Sequence, residues 1–396
     1  MVEAHVAAFV VLLMVAAAAA VLVKLIPVPY VTALAIIGAV SGIFLHLQGA
    51  LLSRSLILFV LLPGLLFEAA FNLDWRRLRA DLVSVVTLAT AGVVLTAGLI
   101  ALLGHLALGL PFAVAFLFGA MVAPTDPVAV IAVFRKLRVP DRLAMIVDAE
   151  SLLNDGTGVV LYGIALATVL TGQFQPLAAA GQFLWLSLGG LALGTLLGWG
   201  FSRLTMRIDD VQVEMTFTAI AAYGSYLLGE ALHVSGILAV VAAALVLGNY
   251  GRRRGMSERT QHAVHDFWGY VAFVLNSLVF LLIGLELPWT SAIAQGLAVV
   301  AAAGCVLLAR AIAVYGVLGL IWPLKARVAW RWQHLMVWSG MRGAVAIALA
   351  LSLSEQTGAQ FVNLRTLVYG VVLLSIVIQG LTIAPLSRFL IRPTPG

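Results

Sequence analysis

The chain contains thirteen runs of predominantly apolar residues, most of them about as long as an α-helix that crosses a lipid bilayer. They lie near residues 6–26, 29–47, 53–71, 82–104, 111–134, 142–171, 179–202, 213–231, 235–250, 262–285, 292–321, 334–353 and 364–387. The strands of a membrane barrel are shorter and alternate in polarity. The chain is 63% hydrophobic and 10% charged, whereas soluble domains are about one quarter charged. The sequence therefore predicts an all-α integral membrane protein with about 13 transmembrane helices.

The charges between the runs predict the orientation, because Lys and Arg collect in the cytoplasmic loops of membrane proteins. With thirteen spans, 19 of the 23 basic residues fall on one side of the membrane. They are Lys24, Arg76, Arg77, Arg79, Arg135, Lys136, Arg138, Arg142, Arg203, Arg207, Arg252, Arg253, Arg254, Arg259, Lys325, Arg327, Arg331, Arg388 and Arg392. We therefore expect a multi-pass protein of the inner (plasma) membrane, with its N-terminus outside and its C-terminus in the cytoplasm.

An odd number of spans permits two halves of opposite topology. Residues 1–178 would form the first half, 179–210 a connecting helix, and 211–396 the second half, with no soluble domain at the C-terminus. Interrupted helices at corresponding places in two such halves indicate the binding site of a transporter. Pro124-Thr125-Asp126-Pro127 interrupts the fifth span, and Ser339-Gly340-Met341-Arg342-Gly343 interrupts the twelfth. We expect two inverted six-helix repeats whose broken helices cross at the midplane of the bilayer.

Acidic residues concentrate around the first interruption. The chain has 17 Asp and Glu residues, and five of them lie within 121–160. A carboxylate in hydrocarbon is costly, so such residues are functional candidates. Asp126 can cap the half-helix that begins near Pro127, and a break that lines a substrate cavity is compatible with this capping. Glu68, toward the cytoplasmic end of the third span, either bonds Asn154 or extends to the interface.

The sixth span carries a polar face. Glu150, Ser151, Asn154 and Asp155 follow a three-and-four spacing, which places them on one side of a helix. Asp155 lies about 20 Å from the cytoplasmic end, near the depth of the break at Thr125. Burial favours the neutral form of a carboxylate, so one carboxylate can bind a proton or a cation in turn. The alternative is a polar network that only specifies helix packing.

Two arginines lie at membrane depth, Arg310 in the eleventh span and Arg342 in the twelfth. A guanidinium group stays charged in proteins, so each arginine needs a carboxylate. Glu150 and Asp126 are the available partners. Such pairs could equally be structural staples without any role in transport.

These residues favour a secondary antiporter that exchanges monovalent cations for protons, but other classes have to be weighed. A passive cation channel would need a continuous polar stripe, whereas the polar residues here cluster at one depth. An intramembrane hydrolase could use Ser151, yet no His or Lys base lies at its depth. We expect no cofactor and no nucleic-acid partner, because the basic residues sit in short loops.

Three motifs carry a resemblance to a known family. Ala123-Pro124-Thr125-Asp126-Pro127, Glu150-Ser151-Leu152-Leu153-Asn154-Asp155-Gly156 and Gly340-Met341-Arg342-Gly343-Ala344 resemble, in this order, the motifs of NhaP-type sodium/proton antiporters. These antiporters belong to the cation:proton antiporter-1 family. The resemblance covers nearly the whole chain, and Met341 stands where the family commonly has Leu.

The resemblance implies a homodimer in the lipid bilayer, with a dimerisation domain and a mobile six-helix core. It implies that the carboxylate of Asp155 binds Na⁺ and the proton. It also implies that Glu150, Ser151 and the backbone of Thr125 lie nearby as further Na⁺ ligands. It also implies supporting roles: Glu68 for Asn154, Asp126 for the helix ends, Arg342 for Glu150, and Arg310 as the family's arginine in the preceding helix.

The expected function is exchange of Na⁺ for H⁺, in the service of pH and sodium homeostasis. The sequence leaves Li⁺ and K⁺ open, so a potassium/proton antiporter is the alternative. Relatives that generate current have two adjacent aspartates where this chain has Asn154-Asp155. Because Asn154 cannot titrate, we expect electroneutral 1:1 exchange. The chain also ends soon after the last span, so no soluble regulatory domain is expected.

Overall fold

A computed structural model describes residues 2–25, 28–45, 53–321, 328–356 and 361–391, and all regular secondary structure in these ranges is helical. The basic residues Lys325, Arg327 and Arg392 lie outside the described residues. The helices of the first part are α1 (Val2–Leu22), α2 (Tyr30–Leu45), α3 (Leu62–Asn72), α4 (Trp75–Ala80), α5 (Leu82–Thr87), α6 (Val93–Leu108), α7 (Phe112–Val122), α8 (Val128–Leu137), α9 (Asp141–Thr171) and α10 (Pro176–Thr205).

The second part of the chain continues the same architecture. Its helices are α11 (Val211–Ala231), α12 (Gly236–Val246), α13 (Arg252–Arg254), α14 (Glu258–Leu285), α15 (Trp289–Ala294), α16 (Gly296–Leu320), α17 (Trp330–Trp338), α18 (Ala344–Gln356), α19 (Val362–Leu374) and α20 (Gly380–Leu390). Each of the thirteen predicted runs overlaps at least one of these helices. Within the described ranges, six helical stretches are long and apolar enough to cross a membrane on their own. The all-α class is confirmed, whereas the number of spans and the inverted repeats stay predictions.

Both predicted interruptions are present. α7 ends at Val122 and α8 begins at Val128, and α17 ends at Trp338 before α18 begins at Ala344. Proline explains the first break, because it lacks an N–H and disfavours helix at the residue before it. The described residues also contain π-helical turns, which the sequence did not predict, at Leu56–Leu61, Leu88–Gly92, Leu247–Gly251 and Ser375–Gln379.

Small residues bring several helices into backbone contact. A Cβ atom added to Gly194 in α10 would lie 2.1 Å from the carbonyl oxygen of Ala239 in α12. Gly38 in α2 approaches the carbonyl of Leu281 in α14 equally closely. In a bilayer, such packing replaces the hydrophobic drive that water gives to a soluble core. α12 also packs against α3 and α9, and α14 packs against α3 and α18, so these pairs border the helices that carry the breaks and the polar face.

Candidate ion-binding site

Asn154 closes the gap between α7 and α8. Its Oδ1 accepts a hydrogen bond from the backbone N–H of Thr125 at 3.1 Å, and its Nδ2 donates to the Thr125 hydroxyl at 2.8 Å. The same hydroxyl shares a hydrogen bond of 2.9 Å with Ser151. All three side chains are buried. The broken backbone is therefore held against α9 by side chains one helical turn apart.

Asp126 joins the two breaks. Its Oδ1 accepts from the backbone N–H of Val128 at 3.1 Å, and the N–H of Ala344 at the start of α18 also donates to its carboxylate. Its own N–H donates to the carbonyl of Met341 at 2.8 Å. A Cβ atom at Gly343 would lie 2.0 Å from its Oδ2, so only glycine fits there. The carboxylate of Asp126 thus accepts from backbone N–H groups at the starts of α8 and α18, where the broken helices meet.

Asp155 faces a cavity of about 70 Å³ beside this crossing. Ser151, Thr125 and Asp126 contribute to its walls, together with apolar residues of α3, α14 and α18. Among the described residues, no hydrogen bond or ion pair occupies the carboxylate of Asp155. One water molecule needs roughly 10–15 Å³ of such a cavity, so there is room for a cation with a few waters. The arrangement offers a small cation two hydroxyl groups and a carboxylate that no described residue bonds.

Glu150, on the same helix as Asp155, is not part of the wall of this cavity. Its Oε1 accepts from Nη1 of Arg310 at 2.5 Å, and both side chains are at most 5% exposed. Arg310 also donates to the carbonyl of Met336 at 3.3 Å. The pair ties α9 to α16. Three of the four predicted Na⁺ ligands thus reach the cavity, and Glu150 does not.

The expected pair between Glu150 and Arg342 is wrong for this structure. Nη1 of Arg342 donates instead to the carbonyls of Ala123 and Pro124, at 2.7 and 3.1 Å. No carboxylate of the described chain lies within ion-pair distance of its guanidinium. The break at Pro124 leaves carbonyls without helical partners, and Arg342, which is 1% exposed, satisfies them. It stabilises the interrupted backbone while Arg310 holds the carboxylate.

Glu68 does not contact Asn154 either. Its Oε1 accepts from Nδ2 of Asn72, one turn later in α3, at 2.9 Å. Both ends of the Asn154 amide bond Thr125 instead. Glu68 is half-buried toward the C-terminal end of α3. The sequence left two alternatives for Glu68, a bond to Asn154 or extension to the interface, and the bond to Asn154 is not formed.

Asp148 is a site residue to which the sequence reasoning gave no role. It lies in the wall of the same cavity as Asp155, seven residues earlier on α9. Seven residues are two helical turns, about 10.5 Å along the axis. That spacing puts both carboxylates on one face of α9, so the signal was available in the sequence. Within the described chain, Asp148 also forms no hydrogen bond or ion pair.

Comparisons with known proteins agree with this architecture. The family described as sodium/hydrogen exchanger, transmembrane, matches residues 9–389. The Na⁺/H⁺ antiporter ApNhaP of Aphanothece halophytica is 40% identical, over 90% of this chain and 68% of that protein. The Na⁺/H⁺ antiporter NhaH of Halobacillus dabanensis is 34% identical, over 92% of this chain and 93% of its own length.

A solved structure shares the fold. The sodium proton antiporter MjNhaP1 from Methanocaldococcus jannaschii superposes with a TM-score of 0.80 at 21% identity, covering 98% of each chain. The match of the family over almost the whole sequence extends across both breaks and α9. The proteins it describes are transporters rather than enzymes. This chain belongs to the transmembrane sodium/hydrogen exchanger family.

Proposed function

We propose that this protein exchanges Na⁺ for protons, with Asp155 binding each ion in turn. The observation that carries the proposal is the carboxylate of Asp155, which no group of the described chain bonds, in the wall of a cavity beside two crossing helix breaks. The relatives named above as Na⁺/H⁺ antiporters support Na⁺ over K⁺ as the cation. Because a proton and a cation compete for the same oxygens, binding of one releases the other. Alternating access of this site to the two sides then gives exchange.

The Na⁺ ligands that we propose are the carboxylate of Asp155 and the hydroxyls of Ser151 and Thr125. The two hydroxyls lie 2.9 Å apart and can accept or donate as the ion requires. Asn154 positions Thr125 and has no proton to release. Glu150 serves structure in this proposal, because its charge is balanced by Arg310.

One titrating carboxylate implies electroneutral 1:1 exchange. Asp155 carries one positive charge in each direction, first as a proton and then as Na⁺, so no net charge crosses the membrane. Glu150 would alter this stoichiometry only by releasing a proton of its own. Its charge is balanced by the ion pair with Arg310 at 2.5 Å, so the proposal assigns it no proton to exchange.

Proteoliposomes test both parts of this proposal. Na⁺ added outside vesicles with an acidic interior should release protons, and Asp155→Asn should abolish the release, because an amide cannot exchange a proton. The purified variant should elute and melt as a folded protein. Wild-type exchange in Asp155→Asn would remove this residue from the mechanism. Parallel addition of Li⁺, K⁺ and Rb⁺ ranks the cations.

The stoichiometry has its own measurement. Vesicles without a pH gradient receive an inside-negative potassium diffusion potential through valinomycin, and net ²²Na⁺ movement is followed. Electroneutral exchange should not respond to the potential or to its reversal. Potential-driven net Na⁺ movement that is absent in Asp155→Asn would contradict a single-carboxylate mechanism.

We also propose a homodimer in a bacterial-type plasma membrane, with the N-terminus outside and the C-terminus inside. In a Cys305→Ala background, single cysteines at Ser257 and Gly172, both exposed, should react with impermeant reagents from opposite sides. Labelling from one side would contradict the topology. The mass of the protein–detergent complex, corrected for bound detergent, should correspond to two chains.

A further inference from the structure

A second and larger cavity lies on another side of α9. It has a volume of about 610 Å³, within the range of small-molecule sites. Apolar side chains from α3, α4, α5, α9, α10 and α12 form almost all of its wall. The hydroxyl of Thr195 in this wall is already bonded to the carbonyl of Leu191 at 2.7 Å. Because its wall is almost entirely apolar, the cavity suits hydrocarbon.

This cavity extends along α12 toward the C-terminal end of that helix. Lining residues recur from Val241 to Tyr250, a distance of about 13 Å along a helix. Trp75 and Tyr250 lie at the end nearest the basic loop, the segment that contains Arg252, Arg253 and Arg254. Amphipathic rings of this kind are typical of the level of lipid head groups. The cavity is therefore an apolar channel that ends among interfacial aromatic residues.

A polar cavity of about 500 Å³ adjoins it and shares Leu73 and Asn249 in its wall. Asn249 is fixed between the two: it accepts from the N–H of Trp75 at 2.9 Å and donates to the carbonyl of Leu73 at 2.8 Å. Because the two cavities meet at these residues, a ligand with an apolar and a polar part can fill both at once.

Basic side chains dominate the polar cavity. Arg252 and Arg253 line it, against one carboxylate, Asp74. The contact between Arg253 and Asp74 is long, 3.7 Å, and both side chains are at least 40% exposed. Exposed pairs of this kind are weak, so an anion can replace Asp74. Arg254 stacks over Tyr250 at 4.8 Å and adds a third positive charge at the mouth of the apolar cavity.

We propose that the two cavities together bind one anionic phospholipid, with an acyl chain in the apolar part and the phosphate at Arg252 and Arg253. The basic loop lies on the side predicted to be cytoplasmic, where anionic lipids attract Lys and Arg. Leu152 lines both this site and the cavity of Asp155. The lipid would therefore pack directly against the ion-site helix.

Native mass spectrometry of the purified protein measures this binding. The probes are phosphatidylglycerol and phosphatidylcholine with identical acyl chains. The wild type should bind phosphatidylglycerol more tightly. Arg252→Ala/Arg253→Ala should weaken that binding about 30-fold, the effect of roughly 1 kcal/mol for each basic side chain. Arg203→Ala/Arg207→Ala, exposed positions outside both cavities, is the matched control and should bind as wild type.

A second pair of variants tests the acyl chain. Thr195→Trp fills the apolar cavity and should weaken the binding of both lipids, whereas Leu196→Trp, which points away from it and is 67% exposed, should not. Excess inorganic phosphate should leave bound phosphatidylglycerol in place. Equal binding of the two lipids, unchanged binding in the arginine variant, or displacement by phosphate would each overturn the proposal. None of these outcomes depends on transport.

Discussion

The partner of Glu150 can be tested by removing one arginine at a time. Glu150 is 1% exposed and pairs with Arg310 at 2.5 Å, whereas Arg342 contacts only backbone carbonyls with its guanidinium. Arg310→Met keeps a long side chain in α16 but leaves the carboxylate buried without a cation. The structure therefore predicts a strong loss of stability that specifically involves Glu150.

The magnitude follows from burial. Removing one partner of a buried ion pair costs about 3–5 kcal/mol, because the remaining charge is stranded. The pair between Arg77 and Asp141 is a suitable control: its distance is 2.8 Å, but its side chains are 58% and 79% exposed. Exposed pairs contribute about 0.2–1 kcal/mol. The stability of Arg77→Met should therefore be close to that of the wild type, whereas Arg310→Met should be clearly destabilised.

Thermal melting in one detergent, at one scan rate, ranks these variants. The scan rate has to be fixed, since membrane proteins often unfold irreversibly and their melting temperature is then a kinetic quantity. The double variant Arg310→Met/Glu150→Gln should melt above Arg310→Met, because the amide removes the stranded charge. A double-mutant cycle then gives the coupling between the two side chains.

The decisive comparison uses the other arginine. Glu150→Gln should not rescue Arg342→Met, since the loss there is that of hydrogen bonds to Ala123 and Pro124. Rescue of Arg342→Met, without rescue of Arg310→Met, would show that Arg342 is the true partner. Equal melting temperatures for Arg310→Met and Arg77→Met would contradict a buried pair altogether.

Two further predictions concern the site itself. Asp148→Asn should raise the KM for Na⁺ about 2- to 15-fold at a pH where Asp148 is ionised: a charge two helical turns from Asp155, about 10.5 Å along the axis, contributes roughly 0.4–1.6 kcal/mol at an effective dielectric of 80 to 20. Proton release titrated with Na⁺ measures this, and an unchanged KM would exclude a role in cation attraction. Gly343→Ala should abolish exchange, because its Cβ would collide with Asp126, whereas Gly98→Ala, with nothing within 4 Å, should behave as wild type. Normal exchange by Gly343→Ala would contradict the crossing geometry.

Much of the fold could be predicted because its causes are local in the sequence. A helix in a bilayer requires a long apolar run, and each predicted run overlaps helix in the structure. Both breaks were predicted because Pro124, Pro127 and the Gly340–Gly343 segment disturb helix locally. The π turns were missed, since nothing in the residues of Leu88–Gly92 distinguishes them from ordinary apolar helix.

The partners of charged groups were harder to predict. Arg310 and Arg342 both lie in the middle of apolar runs, so depth alone could not decide which one reaches Glu150. That choice depends on the rotation of α16 about its axis and on the backbone path in the break between α17 and α18, which no local pattern specifies. Glu68 is different, because Asn72 follows it at the four-residue spacing that brings helix side chains together. The residues alone left a bond to Asn154 and extension to the interface open, the family resemblance implied the bond to Asn154, and neither alternative included the nearer partner Asn72.

The π turn at Leu88–Gly92 has a consequence for insertions and deletions in this chain. Deleting one residue there would shorten the helix by about 1.5 Å and rotate everything after it by roughly 100°. Gly119 of α7, where an added Cβ would lie 2.4 Å from the carbonyl oxygen of Ala97, would then meet a different side of α6. The carbonyl of Ala89 would also leave the hydroxyl of Thr157, two residues after Asp155, to which it is bonded at 2.5 Å. Natural variation in chain length among relatives should therefore avoid this turn and collect in the connecting loops.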